Sequence, residues 1–149
     1  MELLDQSFEA GAWHGSSARQ AVRSLSVEAA LWRPAPRAHN IWELVLHMAY
    51  WAHVGLVRLT KVRQRFPRPG RDWIPLPKRR DQTAWRQDVE LLVDRHSAFR
   101  AAVQRFPASQ LWTKRGAYRA HQLIEGIAAH HLHHTGQIQL IRRLAKLKT

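Results

Sequence analysis

The chain has 149 residues, no cysteine and a formal net charge of +13. Without cysteine it has no disulfide framework, cysteine nucleophile or thiolate metal ligand, so any metal site must use nitrogen and oxygen donors. The length predicts one domain, over residues 1–149, with a single hydrophobic core. The first residues lack a signal-peptide pattern and no apolar run is long enough to span a membrane, so we expect a cytoplasmic protein.

Apolar residues at helical spacing predict four long helices. In chain order these cover about residues 3–25, 41–65, 84–106 and 121–144. The stretch 66–80 contains four prolines and one glycine, which predicts a crossover loop between the second and third helices. The pattern as a whole predicts an all-α protein.

The second predicted helix carries a histidine among its apolar residues. Asn40 can act as the N-cap and Glu43 stands three residues later, which is the pattern of a capping box. His47 is the polar member of an otherwise apolar stripe, which consists of Leu44, Met48, Trp51 and Gly55. A histidine in that place needs a partner.

The third predicted helix has a regular stripe that also includes a histidine, His96. His96 is therefore a rival candidate for a metal ligand. We favour the interpretation that it lies at the margin of the stripe and bonds to water or a neighbouring group. Four other histidines have no comparable pattern and are predicted to be surface or end residues: His14, His39, His53 and His121.

The fourth predicted helix contains histidine at positions 130, 131, 133 and 134. Side chains four residues apart share a helix face, so His130 and His134 can reach one metal ion while His131 and His133 point elsewhere. The pair occupies places in the apolar stripe, where an unpartnered polar group costs roughly 1 to 3 kcal/mol. The alternatives are an exposed patch, or two core histidines satisfied by hydrogen bonds.

A metal ion with an open reaction position usually takes three protein ligands. His47 is the best candidate for the third ligand, because it shows the same pattern as the pair in the fourth helix. Histidine must be neutral to bind a metal, so we expect the affinity to weaken as the pH falls through roughly 6.

Two blocks of the sequence resemble a known family. Residues 40–47 and 126–138, with the opening segments 4–8 and 12–15, are similar to the DinB/YfiT-like proteins of the DinB superfamily. That resemblance implies a four-helix bundle with a long crossover loop between helices 2 and 3. The family is also grouped with metal-dependent hydrolases, and some members are S-transferases that depend on low-molecular-weight thiols.

Carried over to this chain, the family's metal site falls on His47, His130 and His134. The resemblance implies a divalent metal, zinc or nickel, with water or a small-molecule substrate completing the coordination, and it allows a thiol cofactor. Relatives often have an acidic residue directly after the first histidine of the pair, where this chain has His131. No catalytic residue is assigned by the sequence.

The basic character is concentrated between Arg58 and Arg80. This segment has nine lysines and arginines, opposed by Asp72, and it includes Trp73. Such a segment could bind phosphates and stack a base, or receive an anionic substrate near the metal. The alternatives to an enzyme are thus a basic nucleic-acid-binding module and a non-catalytic metal-binding bundle.

Further roles follow from position. Gln137 and Glu43 could orient metal ligands, although the capping box is the preferred role for Glu43. Relatives often form dimers, and three tryptophans, Trp13, Trp32 and Trp112, are candidates for the contact surface of a homodimer. The alternative is that these tryptophans line the pocket or complete the core.

Overall fold

The structure is a computed structural model that describes residues 1–9 and 13–146. It is mainly α-helical, as predicted. The helices of the described residues are α1 (Glu2–Phe8), α2 (Ala18–Val22), α3 (Val27–Leu31), α4 (Ile41–Thr60), α5 (Gln82–Gln104) and α6 (Ala120–Lys146). Between α5 and α6 lie a short 3-10 helix (Ala108–Gln110) and an antiparallel hairpin of β1 (Lys114–Arg115) and β2 (Tyr118–Arg119).

Side-chain caps explain where the central helices begin. The Asn40 side chain accepts from the Glu43 backbone N–H and the Glu43 carboxylate accepts from the Asn40 N–H, so the predicted capping box of α4 is present. Asp81 caps α5 in a similar way by accepting from the Ala84 N–H. The predicted extension of the second helix to residue 65 is wrong, because Lys61 adopts a left-handed conformation (φ 62°) that ends α4.

The predicted continuous helix over residues 3–25 is also wrong. Residues 10–12, which it includes, lie outside the described residues, but α1 already ends at Phe8 and Glu9 is extended. A new helix, α2, begins after Ser17, whose hydroxyl accepts from the Gln20 N–H and forms a second capping box. Serine at an N-cap competes with a continuous helix because its side chain satisfies a backbone donor locally.

Helix α4 lies at the centre of the fold and packs against both α5 and α6, while α6 also packs against α1 and α2. Gly55 makes the approach of the helices close. A Cβ atom at this position would lie 2.9 Å from Cγ1 of Ile127 in α6 and 3.1 Å from Cε2 of Phe99 in α5. The close approach of α4 and α6 brings the histidines of these two helices together.

The segment between α4 and α5 has no helix or strand and is tied to the helices by side chains. The Arg68 guanidinium forms a salt bridge with Asp88, a fully buried carboxylate that also accepts from the indole N–H of Trp42. Ile74 is buried in the main core. No helix among the described residues is both long and apolar enough to cross a membrane.

Candidate metal centre

Three histidines from two helices converge on one point. His47 comes from α4, and His130 and His134 come from successive turns of α6. The Nε2 atom of His130 lies 3.0 Å from Nε2 of His47 and 3.0 Å from Nε2 of His134. One nitrogen from each of the three lies within 4.8 Å of the other two. The structure thus brings together the three residues that the sequence singled out, which we call the histidine triad.

The histidine triad is largely buried, since His47 and His134 are each 6% exposed. Burial, followed by repulsion from the neighbouring imidazoles, lowers the pKa of His130 to about 3. Burial likewise lowers the pKa of His134 to about 4, and it lowers the pKa of His47. All three imidazoles are therefore neutral at pH 7, which is the state that binds metal.

Two members of the triad are held by hydrogen bonds on the opposite side of the ring. Nδ1 of His47 donates to the backbone carbonyl of Asp72 at 3.1 Å. Nδ1 of His134 donates to the side-chain carbonyl of Gln137 at 2.6 Å, so Gln137 lies where the sequence suggested an orienting group. A neutral imidazole that donates through Nδ1 has a lone pair on Nε2, and in both residues that atom points into the triad.

These tautomers leave the triad one proton short. His130 Nε2 approaches two lone pairs, on His47 and on His134, and a single N–H can donate to one of them. At least one contact of 3.0 Å is therefore not a hydrogen bond and leaves a lone pair without a donor. A cation at the point of convergence, with the His130 proton on Nδ1, accepts all three Nε2 lone pairs, so the donor set fits a metal ion.

The distances between the Nε2 atoms and the type of donor also fit a metal ion. Zinc binds histidine nitrogen at about 2.0 Å, so two such ligands in a tetrahedral arrangement lie roughly 3.3 Å apart. The two Nε2 separations of 3.0 Å are close to that value. Imidazole ligands suit zinc, nickel and copper better than magnesium or calcium, which prefer oxygen.

The segment between α4 and α5 covers the outer side of the triad. Asp72, with a left-handed φ of 59°, accepts the indole N–H of Trp51 at 2.7 Å and lies 3.3 Å from Nδ1 of His47. Trp73 stacks on the His47 ring with a centroid distance of 4.0 Å and on His39 at 3.5 Å. The same two residues therefore orient His47 and shield it from solvent.

His131 lies outside the triad, as the helical spacing predicts. It is fully buried, with its ring 5.4 Å from Phe8 and 5.3 Å from His96. The buried surface of α6 is wider than the predicted stripe. It also includes His131 and Thr135, which directly follow the stripe residues His130 and His134. The exposed side of this turn is occupied by His133 alone among the four histidines.

His96 lies outside the triad. It is fully buried and stacks on Phe8 with a centroid distance of 3.7 Å and an interplanar angle of 6°. Within the described part of the chain, neither ring nitrogen of His96 has a hydrogen-bond partner. It is thus a core histidine rather than a residue at the margin of the stripe.

His53 was predicted to be a surface residue, but it is 4% exposed. Its Nε2 contacts the backbone carbonyl of Gln64 at 3.0 Å. His53 follows His47 by six residues, so helical spacing places it on another face of α4, which is also buried. The segment after α4 covers that face, and the α4 sequence alone gave no sign of it.

Glu43 serves the capping box rather than the triad. Its carboxylate binds the Arg33 guanidinium, contacts Nδ1 of His39 at 3.1 Å and accepts from the Asn40 N–H. These contacts lie at the first turn of α4, one turn before His47.

Comparison with known proteins identifies a family over most of the chain. The sequence model of the DinB superfamily matches residues 12–138, which include all three members of the histidine triad. No curated protein matches the chain significantly, and no solved structure does. The family match therefore adds to the geometry of the triad without naming a substrate.

Proposed function

This chain belongs to the DinB superfamily, and we propose that it is a metal-dependent enzyme that holds one divalent cation between His47, His130 and His134. The observation that carries the proposal is the convergence of three Nε2 atoms, two of which are fixed as lone-pair donors. We also propose that α1, α4, α5 and α6 correspond to the four helices of the family's bundle.

Zinc or nickel is the proposed ion. Three neutral imidazoles leave its double charge uncompensated, and when bound it would polarise an oxygen or sulfur atom of a ligand and lower that group's pKa. Hydrolysis of a small-molecule substrate and transfer of a low-molecular-weight thiol both begin with this polarisation. We retain both reaction classes, since each needs the same ligand set.

The chain's own groups have supporting roles in this proposal. The Asp72 carbonyl and the Gln137 side chain fix the tautomers of two ligands, so that their Nε2 lone pairs are available. Trp73 covers one face of His47 and limits the access of water. Burial lowers the pKa of all three imidazoles, so that they are neutral at pH 7.

Metal content tests the proposal directly. Untagged protein should contain about one ion per chain by elemental analysis, and His134→Ala should contain almost none. His133→Ala is the matched control because His133 is exposed and belongs to the same turn of α6. If wild type takes up no zinc, nickel or manganese, or if both variants behave alike, the proposal is wrong.

Nucleic-acid binding is less well supported by the surroundings of the basic segment. Trp73, which would stack a base, already stacks on His39 and His47. Arg68 and Arg79 form salt bridges with acidic residues of or beside α5. We therefore assign the remaining positive charge to an anionic small molecule rather than to DNA or RNA.

We further propose a homodimer. Trp13 is 89% exposed and Trp112 is 66% exposed, whereas Trp32 is partly buried against the core. Large exposed aromatic rings are enriched at protein interfaces. Light scattering should give the mass of two chains, and replacement of Trp112 by serine should reduce it to one if that ring lies in the contact.

A further inference from the structure

A cavity of about 260 Å³ opens beside the histidine triad, and His130 forms part of its wall. Its lining is mainly apolar and comes from α4, α6 and the β-hairpin; it includes Trp51, Val54 and Ile127. A group held in this cavity would lie beside His130. A substrate in this cavity can react only if the triad is the reactive centre. The inference therefore rests on the proposed function.

Gly126 is part of the cavity wall. A Cβ atom built on Gly126 meets no atom within 4 Å, although this residue lines the cavity. Gly55, on the opposite helix, differs because its Cβ would collide with Ile127. The open space at Gly126 is thus not needed for helix packing, so a longer side chain can be introduced at the cavity wall.

Arg58 gives the cavity a positive charge at its rim. Its guanidinium lies 5.9 Å from the centre of the Trp51 ring, and none of the salt bridges formed by the described residues includes it. Arg58 and Val54 also line a second cavity of about 590 Å³. No aspartate or glutamate of the described chain lines either cavity, while Arg65 and Arg71 add further positive charge to the second.

We propose that the cavity beside His130 is the substrate site, and that its substrate is a small molecule with an apolar body and a carboxylate or phosphate group that binds Arg58. The apolar walls select the body by burial, and the guanidinium selects the anion by charge-assisted hydrogen bonds. The reacting atom then lies at the His130 end, opposite the anionic group.

Three probes separate these elements of recognition: phenylbutyrate, its neutral amide and phenylpropyl phosphate. Their binding is measured by calorimetry on the full chain, with zinc and without it. Phenylbutyrate or the phosphate should bind about tenfold more tightly than the amide, because an ionised partner of arginine gains a charge-assisted hydrogen bond. The anion that binds more tightly shows whether the site prefers a carboxylate or a phosphate group.

Two pairs of variants locate the binding. Gly126→Leu should weaken binding of the preferred anion by at least about tenfold by filling the cavity, while Gly136→Leu should leave it unchanged. Gly136 is the matched control, because it lies in α6, is exposed, has the same open space at Cβ and does not line the cavity. Arg58→Gln should weaken binding roughly three- to tenfold, and Arg63→Gln, which lies outside both linings, should not.

Binding that persists in Gly126→Leu, or an amide that binds as tightly as both anions, overturns the inference. Zinc content measured on the same four variants keeps this result separate from the proposed function, since none of the four changes a member of the triad. Normal zinc content with no anion binding refutes the substrate site alone. Absence of zinc from wild type refutes the proposed function, while anion binding that is lost in Gly126→Leu still supports the cavity.

Discussion

The buried histidine of α5 should make the protein less stable in mild acid by an amount that a single substitution can reveal. Burial of His96 against Phe8 lowers its pKa from 6.5 to about 4. Between these two values the unfolded chain binds a proton that the folded chain rejects, so the free energy of unfolding falls as the pH falls. The stabilising contribution is fully present above about pH 6.5 and is lost on the way down to about pH 4.

The size of this effect follows from the two pKa values. Between about pH 7 and pH 4.5, one group with a pKa shifted from 6.5 to about 4 costs about 2 kcal/mol of stability. Replacement of His96 by phenylalanine removes the group that binds this proton, while an aromatic ring remains beside Phe8. Over the same pH interval, the free energy of unfolding of the His96→Phe protein should therefore fall by about 2 kcal/mol less than that of wild type.

Urea unfolding at the two pH values, with a metal chelator present throughout, measures the difference. The triad is unchanged in both proteins, so its own proton uptake cancels between them. His14→Phe is the control, because His14 is exposed and its replacement should leave the pH dependence as in wild type. Equal losses in wild type and His96→Phe would refute the reasoning, since His96 would then bind its proton as readily in the folded chain as in the unfolded one.

Three further outcomes are expected. Gly55→Ala should destabilise the protein by about 1 to 3 kcal/mol in urea unfolding, because its Cβ would lie 2.9 Å from Ile127 Cγ1; Gly136→Ala, in open space, should be neutral or stabilising. Gln137→Ala should weaken zinc affinity about tenfold or more in a chelator competition, and Gln139→Ala should leave it unchanged. Zinc should be released at a lower pH than the value of roughly 6 that the sequence alone predicts, since burial lowers the pKa of all three ligands; release through the ordinary histidine range would contradict this.

The histidine triad could be found in the sequence because its signals are local. His130 and His134 share a face by helical spacing, and His47 interrupts an apolar stripe directly after a capping box. Such patterns depend on the helix alone and not on the rest of the fold. The orientation of Gln137 follows for the same reason, as it lies three residues after His134 on the same helix.

Features that depend on other parts of the chain were not predictable in this way. The contact between Asp72 and His47 joins residues 25 positions apart and requires a left-handed backbone at a residue other than glycine. His131 is buried because α1 supplies Phe8 and α5 supplies His96, neither of which the α6 sequence contains. The break after Phe8 was hidden by apolar residues whose spacing continues across it.

The composition of the triad affects the rates at which the metal ion and an anionic substrate associate with the protein. Carboxylate ligands attract a cation by their charge, but this site uses three uncharged rings in a protein of net charge +13. A cation must approach against a positive field, whereas an anion is drawn towards Arg58 by the same field. Added salt screens both effects, so it should speed the association of the metal ion and slow that of an anionic substrate.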